Sequence, residues 1–494
     1  MMFLRNRRIV LSVALLITAI GLLFAFRHDY LFRLLLIFSS DKSFLPHTIE
    51  TVKVLPYFLM LIGLLFPFLP SLLSRLSGAV RRHFGADNKR LIYVLFGLAL
   101  LLRFLPLISL DVEPLGDSIW YEQGGYNIAK GEGYTIAGKA TAFWPVGYPL
   151  FLGIVYFIFG HSLFVARFWT VILSLYICFL TYRIGKTVLG DSGSLVALLL
   201  IATFPSQIFF SSLFLSEVLF SALFLTVVYL TMKLAEGEKG GWLWLVVGLL
   251  CGGSILVRPV TLFFPVVIFI FLLWIKKQSF KSSLLRTALV IFGISLLLVP
   301  WTVRNKKVLG HWILVSTNSG YNFWIGNNPE AKGTFTPEVA EVLNVIDDEV
   351  ERYYLGYREG FNFILNRPDK FLLLIPRKLF YLFLTDTFSF YYLLTSAGKS
   401  STGWLAAVGG VLFELYYLLI LLLGVAGILL PLRDESRSGM KLICWVLGYW
   451  VFFHIFLFTI DRYHFPIMPL IIILASKAIW RWVGEMKQTS RCGR

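Results

Sequence analysis

The sequence predicts an all-α polytopic membrane protein, a bundle of about twelve transmembrane helices with external loop domains. Three observations predict it. The 494 residues are 57% hydrophobic and only 15% charged, with a mean hydropathy of +0.77. Apolar runs long enough to cross a bilayer recur along the chain. Those runs do not alternate polar with apolar residues, so they read as helices rather than barrel strands, the other way to satisfy backbone groups in lipid.

The elements follow in order. Arg5, Arg7 and Arg8 precede an apolar run near 9–26, which has no small-residue exit before Arg27 and predicts an uncleaved first span. Further spans are expected near 54–74, 91–109, 163–182, 193–210, 213–234, 242–257, 260–275, 286–303, 409–431, 441–459 and 464–483. The segment 30–38 is too short to cross. The segment 147–160 opens on Trp144-Pro-Val-Gly-Tyr-Pro149 and suits a helix lying in the interface. Asp347-Asp-Glu-Val-Glu351, followed by Arg352-Tyr-Tyr, reads as the start of an amphipathic helix in water. Residues 371–393 are apolar but interrupted by Pro376, Arg377, Lys378 and Asp386, so an interfacial or re-entrant segment is expected. The chain thus divides into N-terminal extra spans (1–85), a transmembrane core with an external loop at 110–162 (86–310), an external loop with an interfacial helix (311–408), and C-terminal spans with a cytoplasmic tail (409–494).

The net charge of +17 has a topological reading. Arg75, Arg81, Arg82, Lys89 and Arg90 oppose one acid, Asp87, in one connection. Lys276, Lys277, Lys281 and Arg286 share another with no acid, and Arg433, Arg437 and Lys441 fall in a third. All fall on the side of the N-terminus, which the positive-inside rule makes cytoplasmic. Basic charge confined to short connections gives no nucleic-acid surface, so no nucleic acid partner is expected. The four cysteines (Cys178, Cys251, Cys444 and Cys492) form no CxxC, and neither a disulfide framework nor a zinc site is indicated. An Asp-x-Asp pair and a P-loop are missing, which argues against a nucleotide-sugar donor and ATP-driven transport.

The external side then carries the chemistry. Glu113, Asp117 and Glu122 crowd the mouth of the 91–109 span, and such acids are costly there unless they work in a wet cavity or pair. Glu217 lies inside an apolar run near its external end. Arg258, Arg304, Asn305, Arg462 and His464 sit at the external ends of other spans. The set points to chemistry at the membrane surface, on the side away from the cytoplasm.

At this point the sequence resembles a family. The stretch Gly116-Asp-Ser-Ile-Trp-Tyr-Glu122 is followed by Val257-Arg-Pro259, Pro300-Trp-Thr-Val-Arg-Asn305, Ser316-Thr-Asn-Ser-Gly-Tyr-Asn-Phe-Trp-Ile-Gly-Asn-Asn-Pro329 and Asp461-Arg-Tyr-His-Phe-Pro466. Their order over 91–480 is similar to that of the C-type (GT-C) membrane glycosyltransferases, in the protein O-mannosyltransferase and aminoarabinose-transferase branch (glycosyltransferase family 39-like). The resemblance implies transfer of a sugar from a polyprenyl-phosphate-sugar donor to a hydroxyl-bearing acceptor outside the cytoplasm. It also implies that the first external loop supplies the catalytic base, at Asp117. Residues 1–85 fall outside the shared core, and their role is unassigned.

The candidate catalytic residues are Asp117 and Glu217. Asp117 reads as the base or as a helix N-cap. Glu217 reads as a site acid or as a structural partner of an arginine. The candidate binding residues are Glu122, Tyr148, Arg258, Arg304, Asn305, Asn327, Arg462 and His464. The arginines read as a phosphate cradle or as interfacial snorkelling. Tyr148, with Trp144, Tyr321 and Trp324, reads as a sugar platform or as membrane belt. Asn327 lies in a Gly326-Asn-Asn-Pro329 turn, and its sugar contact is implied by the resemblance alone. Arg103 reads as a structural partner for an internal acid, and Arg167 has no clear role. No cofactor is certain, and a divalent cation is left open. The other function class is a transporter or flippase of lipid-linked sugars, which Arg103 and Glu217 inside spans keep in play; a scaffold is a third. The expected location is the plasma membrane, a bacterial inner membrane, with the lipid bilayer as partner and the site facing the periplasm or exterior.

Overall fold

The computed structural model describes residues 88–237, 240–431 and 437–492, together with Thr18. The spans expected at 9–26 and 54–74, and the short segment at 30–38, lie outside these residues. Among the described residues the chain is helical, apart from one small hairpin of β1 (Thr135–Ile136) and β2 (Lys139–Ala140). Among the described residues, six stretches are long and apolar enough to cross a membrane: Lys89–Ser109, Leu163–Thr203, Ser216–Ala235, Phe280–Leu309, Trp404–Leu429 and Asp461–Trp482.

Each element follows from its local sequence. Helix α1 (Asn88–Ser109) is the first described crossing, and Pro106 lies inside it. Helix α2 (Asp117–Ala129) starts after Gly116, whose φ of 54° suits only a residue without Cβ. The hairpin turns on Ala137 and Gly138, both at positive φ. Helix α3 (Gly147–Phe159) follows. Helix α4 (Leu163–Thr203) holds the expected 163–182 span and the first part of the 193–210 one, with a break where Gly190 takes φ 74°. The 193–210 span is therefore not one piece: α4 ends at Thr203, and Pro205 opens the short α5 (Pro205–Phe210).

Helix α6 (Ser216–Ala235) follows, then α7 (Leu243–Val257). The residue before a proline avoids helical angles, so α7 ends at Arg258, whose backbone is extended ahead of Pro259. A 3-10 turn (Pro259–Thr261), α8 (Phe264–Ile270) and a π turn (Phe271–Ile275) then make up the 260–275 segment in three pieces. Helix α9 (Phe280–Leu309) crosses again.

The second large loop holds α10 (Asn318–Gly326), α11 (Pro337–Asn344) and α12 (Glu349–Asn366). Asp348 caps α12: its Oδ1 accepts from the Val350 and Glu351 amides at 2.7 and 2.9 Å. The 371–393 segment forms α13 (Pro368–Phe383) and α14 (Phe388–Ser396), each too short to cross. Helices α15 (Trp404–Leu429) and α16 (Arg437–His454) lead to a 3-10 turn (Asp461–Ile467) and to α17 (Met468–Cys492).

Burial orders the bundle. The apolar windows of Ser216–Ala235 and Asp461–Trp482 are 72% and 89% buried, whereas that of α1 is 22% buried. Helix α6 and the 461–482 stretch are therefore the centre, and α1 lies at the edge. Small residues let helices approach where lipid supplies no hydrophobic drive between them. Gly248 of α7 lies on the α9 backbone, where a Cβ would collide with the Val290 carbonyl. Gly147 sets the start of α3 against the end of α7, since a Cβ there would come within 2.7 Å of the Val257 amide.

Candidate active site

Four charged residues, far apart in sequence, meet where helices begin or end. Asp117 is the first residue of α2, and Glu217 lies in the first turn of α6. A helix N-terminus favours a carboxylate at both places. Arg258 lies at the break between α7 and the next turn, and Arg462 lies in the 3-10 turn before α17.

Arg462 joins the two acids. Its Nη2 donates to Asp117 Oδ2 at 2.5 Å, and its Nε lies 3.6 Å from Glu217 Oε1. Arg258 Nη1 lies 2.8 Å from the same Glu217 oxygen, close enough for an ion pair but not aligned for a hydrogen bond. Two carboxylates therefore balance two guanidiniums. The Glu217 side chain is 2% exposed and that of Asp117 is 25% exposed, so the cluster is deep but open on the Asp117 side. Arginine planes also lie over rings: Arg258 over Tyr463 at 5.1 Å, and Arg462 over Phe388 at 5.2 Å.

The cluster is not saturated. Glu217 Oε2, Arg258 Nη1 and Arg462 Nε are buried without a hydrogen-bond partner among the described residues. Buried polar atoms normally hydrogen-bond, and these three leave that capacity unused, although both guanidinium nitrogens face Glu217 Oε1.

Asp117 does not cap its helix. The position before it is Gly116, which makes no side-chain cap, and the carboxylate goes to Arg462. Ser118 instead ties the helix start, accepting from the Leu115 amide and donating to the Leu115 carbonyl, both at 2.7 Å. Tyr392 of α14 hydrogen-bonds the Ser118 hydroxyl at 3.2 Å and donates to the Leu115 carbonyl. Burial pushes the Tyr121 hydroxyl well up, and Asp117 and Glu217 push it further. Sequence reasoning missed Tyr121 and Tyr392. Tyr121 was findable, because it lies one turn after Asp117 on α2; Tyr392 left no signal.

The other candidates lie elsewhere. Glu122 pairs with His161 Nε2 at 2.5 Å, on the outer side of α2. The Tyr148 ring is buried edge-on against Tyr121 and stacked on Phe151, so no free face remains for a sugar. Arg304 spends its guanidinium on the Thr141 and Tyr134 carbonyls, at 2.7 and 2.8 Å, and clamps the β1–β2 hairpin. Asn305 is buried between Arg304 and the Ile313 carbonyl. Asn327 donates to the Phe323 and Phe456 carbonyls and accepts from Lys378, all inside the protein. His464 is fully buried with both ring nitrogens engaged. Arg304, Asn305, Asn327 and His464 share a reason: their hydrogen bonds are used inside the fold.

Among the described residues Arg103 meets no acid, contrary to expectation. It donates to Ser174 and to the Ala99, Ala202 and Ile201 carbonyls, closing the end of α4. Arg167 likewise serves the Leu110, Pro106 and Ser212 carbonyls. Among the described residues, no group of three or more His, Cys, Asp or Glu side chains is placed to hold a metal ion.

Fold and site together define a multi-pass helical membrane protein with a carboxylate–arginine cluster at its helix ends. Residues 144–302 match the family described as dolichyl-phosphate-mannose-protein mannosyltransferase. That segment includes Glu217 and Arg258, and it supports the GT-C glycosyltransferase resemblance. No curated protein sequence matches the chain. Among solved structures it is similar to the Archaeoglobus fulgidus oligosaccharyltransferase tethered with an acceptor peptide, at 12% identity and TM-score 0.46, covering 80% of this chain and 49% of that one. It is also similar to ArnT from Cupriavidus metallidurans bound to undecaprenyl phosphate, at 12% identity and TM-score 0.41, covering 80% of this chain and 77% of that one. The chain thus spans about half the length of the oligosaccharyltransferase that it matches.

Proposed function

We propose that the protein is a membrane glycosyltransferase that moves a sugar from a polyprenyl-phosphate carrier to a hydroxyl acceptor on the external face of the plasma membrane. The supporting observation is the unsaturated Asp117–Arg462–Glu217–Arg258 cluster, open on the Asp117 side. The mannosyltransferase family match over 144–302 agrees with it.

The acceptor oxygen attacks the anomeric carbon, and the bond from that carbon to the phosphate oxygen breaks. The bonding pair leaves with the phosphate. The acceptor proton passes to Asp117, whose other oxygen is held by Arg462. Arg462 and Arg258 oppose the charge that grows on the leaving phosphate. Glu217 holds both arginines and offers its free Oε2 to a sugar or acceptor hydroxyl.

The transporter reading loses its footing. Arg103 is satisfied by a serine and three backbone carbonyls, and Glu217 belongs to the site at the helix ends. An enzyme consumes donor in detergent, whereas a flippase acts only across a sealed bilayer.

The test compares membranes carrying wild type and Asp117→Asn with a panel of radiolabelled polyprenyl-phosphate sugars. Transfer is expected to fall by roughly 10²- to 10⁴-fold at equal protein level, the usual worth of a general base. Equal turnover removes Asp117 as the base. Repeating the wild-type assay with EDTA and with Mg²⁺ or Mn²⁺ restored reads whether a divalent cation takes part.

A further inference from the structure

The turn that carries Arg462 is tied from within by a polar group that takes no place in the site. His464 Nδ1 lies 2.8 Å from the Leu382 carbonyl. A carbonyl only accepts, so Nδ1 carries a hydrogen. His464 Nε2 lies 3.0 Å from Asp386 Oδ1, and one proton lies between them. Whichever atom holds that proton, the pair has no net charge, which suits its burial. The ring stacks on Tyr417 at 4.8 Å and on Phe383 at 6.3 Å between centroids. The Asp386 amide in turn donates to Glu414 Oε2 at 3.2 Å.

The neighbours of Arg462 are tied as well. The Arg462 amide donates to Asp461 Oδ1 at 2.9 Å, and the Trp450 indole donates to the Tyr463 carbonyl at 3.0 Å. The Arg462 guanidinium is what remains to reach Asp117 and Glu217. A 3-10 turn has poor internal hydrogen bonds, and Pro466 removes one donor more. Its geometry therefore depends on outside ties.

We infer that His464 and Asp386 are positioning residues, whose hydrogen bonds fix the 461–467 turn so that Arg462 meets Asp117 and Glu217. The kinetic part of this inference rests on the transferase reading above; the structural part does not.

The test uses the full chain with Asp386→Leu and His464→Phe combined. Removing both polar side chains leaves neither of them orphaned and takes a donor only from the Leu382 carbonyl, so the variant is expected to fold. Its kcat is expected to fall roughly 10- to 100-fold, the effect of a displacement of about 1 Å at a reacting group, with KM for the acceptor little changed. Asp386→Asn keeps the tie, since its amide donates to a neutral Nε2, and is expected to retain kcat. A cryo-EM map of the double variant is expected to show Arg462 parted from Asp117. Wild-type kcat in the double variant, an Arg462–Asp117 pair intact in its map, or Asp386→Asn as slow as the double variant overturns the inference. If the double variant does not fold, Asp386→Ala is read in the same ways. If wild type transfers no sugar, the transferase reading fails, and the map still decides whether the turn has moved.

Discussion

Glu217 is nearly sealed from solvent, yet one of its oxygens serves two cations. Replacing it by glutamine leaves Arg258 and Arg462 without their shared counter-charge. Breaking a buried pair from one side destabilises by about 3–5 kcal/mol, so Glu217→Gln is expected to lower the unfolding temperature in detergent as well as to abolish transfer. A calorimetric scan checks it; an unchanged melting temperature means that the pair has no structural share. Lys378 gives a pH prediction. Its Nζ donates to Asn327 Oδ1 and to the Ile455 carbonyl, both at 2.9 Å, and burial pushes it down to about 7. Between about pH 7 and its ordinary value of 10.5 the unfolded chain holds more protons than the folded one. Stability is therefore expected to rise with pH through that window and to be lower below about 7. Thermal midpoints across pH 6–9 read the slope, and Lys378→Met is expected to flatten it.

Elements deliver these residues through their ends. Arg258 is set by where α7 stops, and α7 is seated on α9 through Gly248. Gly248→Leu is expected to part the two helices and give aggregated protein on size exclusion; a monodisperse, active variant would count against this seam. Arg304 works on another element. It holds two carbonyls of the loop around β1–β2, while Glu349 of α12 accepts from the Thr141 hydroxyl and the Ala142 amide at 2.5 and 2.8 Å. Charge-assisted bonds of this kind contribute about 1.5–3 kcal/mol each. Arg304→Ala is expected to speed limited proteolysis within 130–146 by about tenfold or more, because local opening becomes easier.

At the scale of the whole molecule, topology follows charge. The connection containing Lys277 is expected to face the cytoplasm, and the loop containing Glu132 the exterior. Cells carrying Glu132→Cys are expected to react with an impermeant maleimide when intact, and cells carrying Lys277→Cys only after permeabilisation. The opposite pattern inverts the topology and moves the proposed site to the inner face. The helical membrane class was legible in the sequence, because a chain this apolar must bury its backbone polar groups in helices wherever lipid is the solvent. The positions of Asp117, Glu217, Arg258 and Arg462 near helix ends were legible too, since prolines and polar breaks in apolar runs are local signals. Their meeting was not. Glu217 and Arg462 are 245 positions apart in the numbering, and only the packing of α6 on the 461–467 turn joins them. Tertiary structure also decided that Arg304, Asn305, Asn327 and His464 make their hydrogen bonds inside the protein. Polar side chains at span ends look alike in sequence, and which of them find carbonyls inside the protein depends on neighbours that the chain brings from far away.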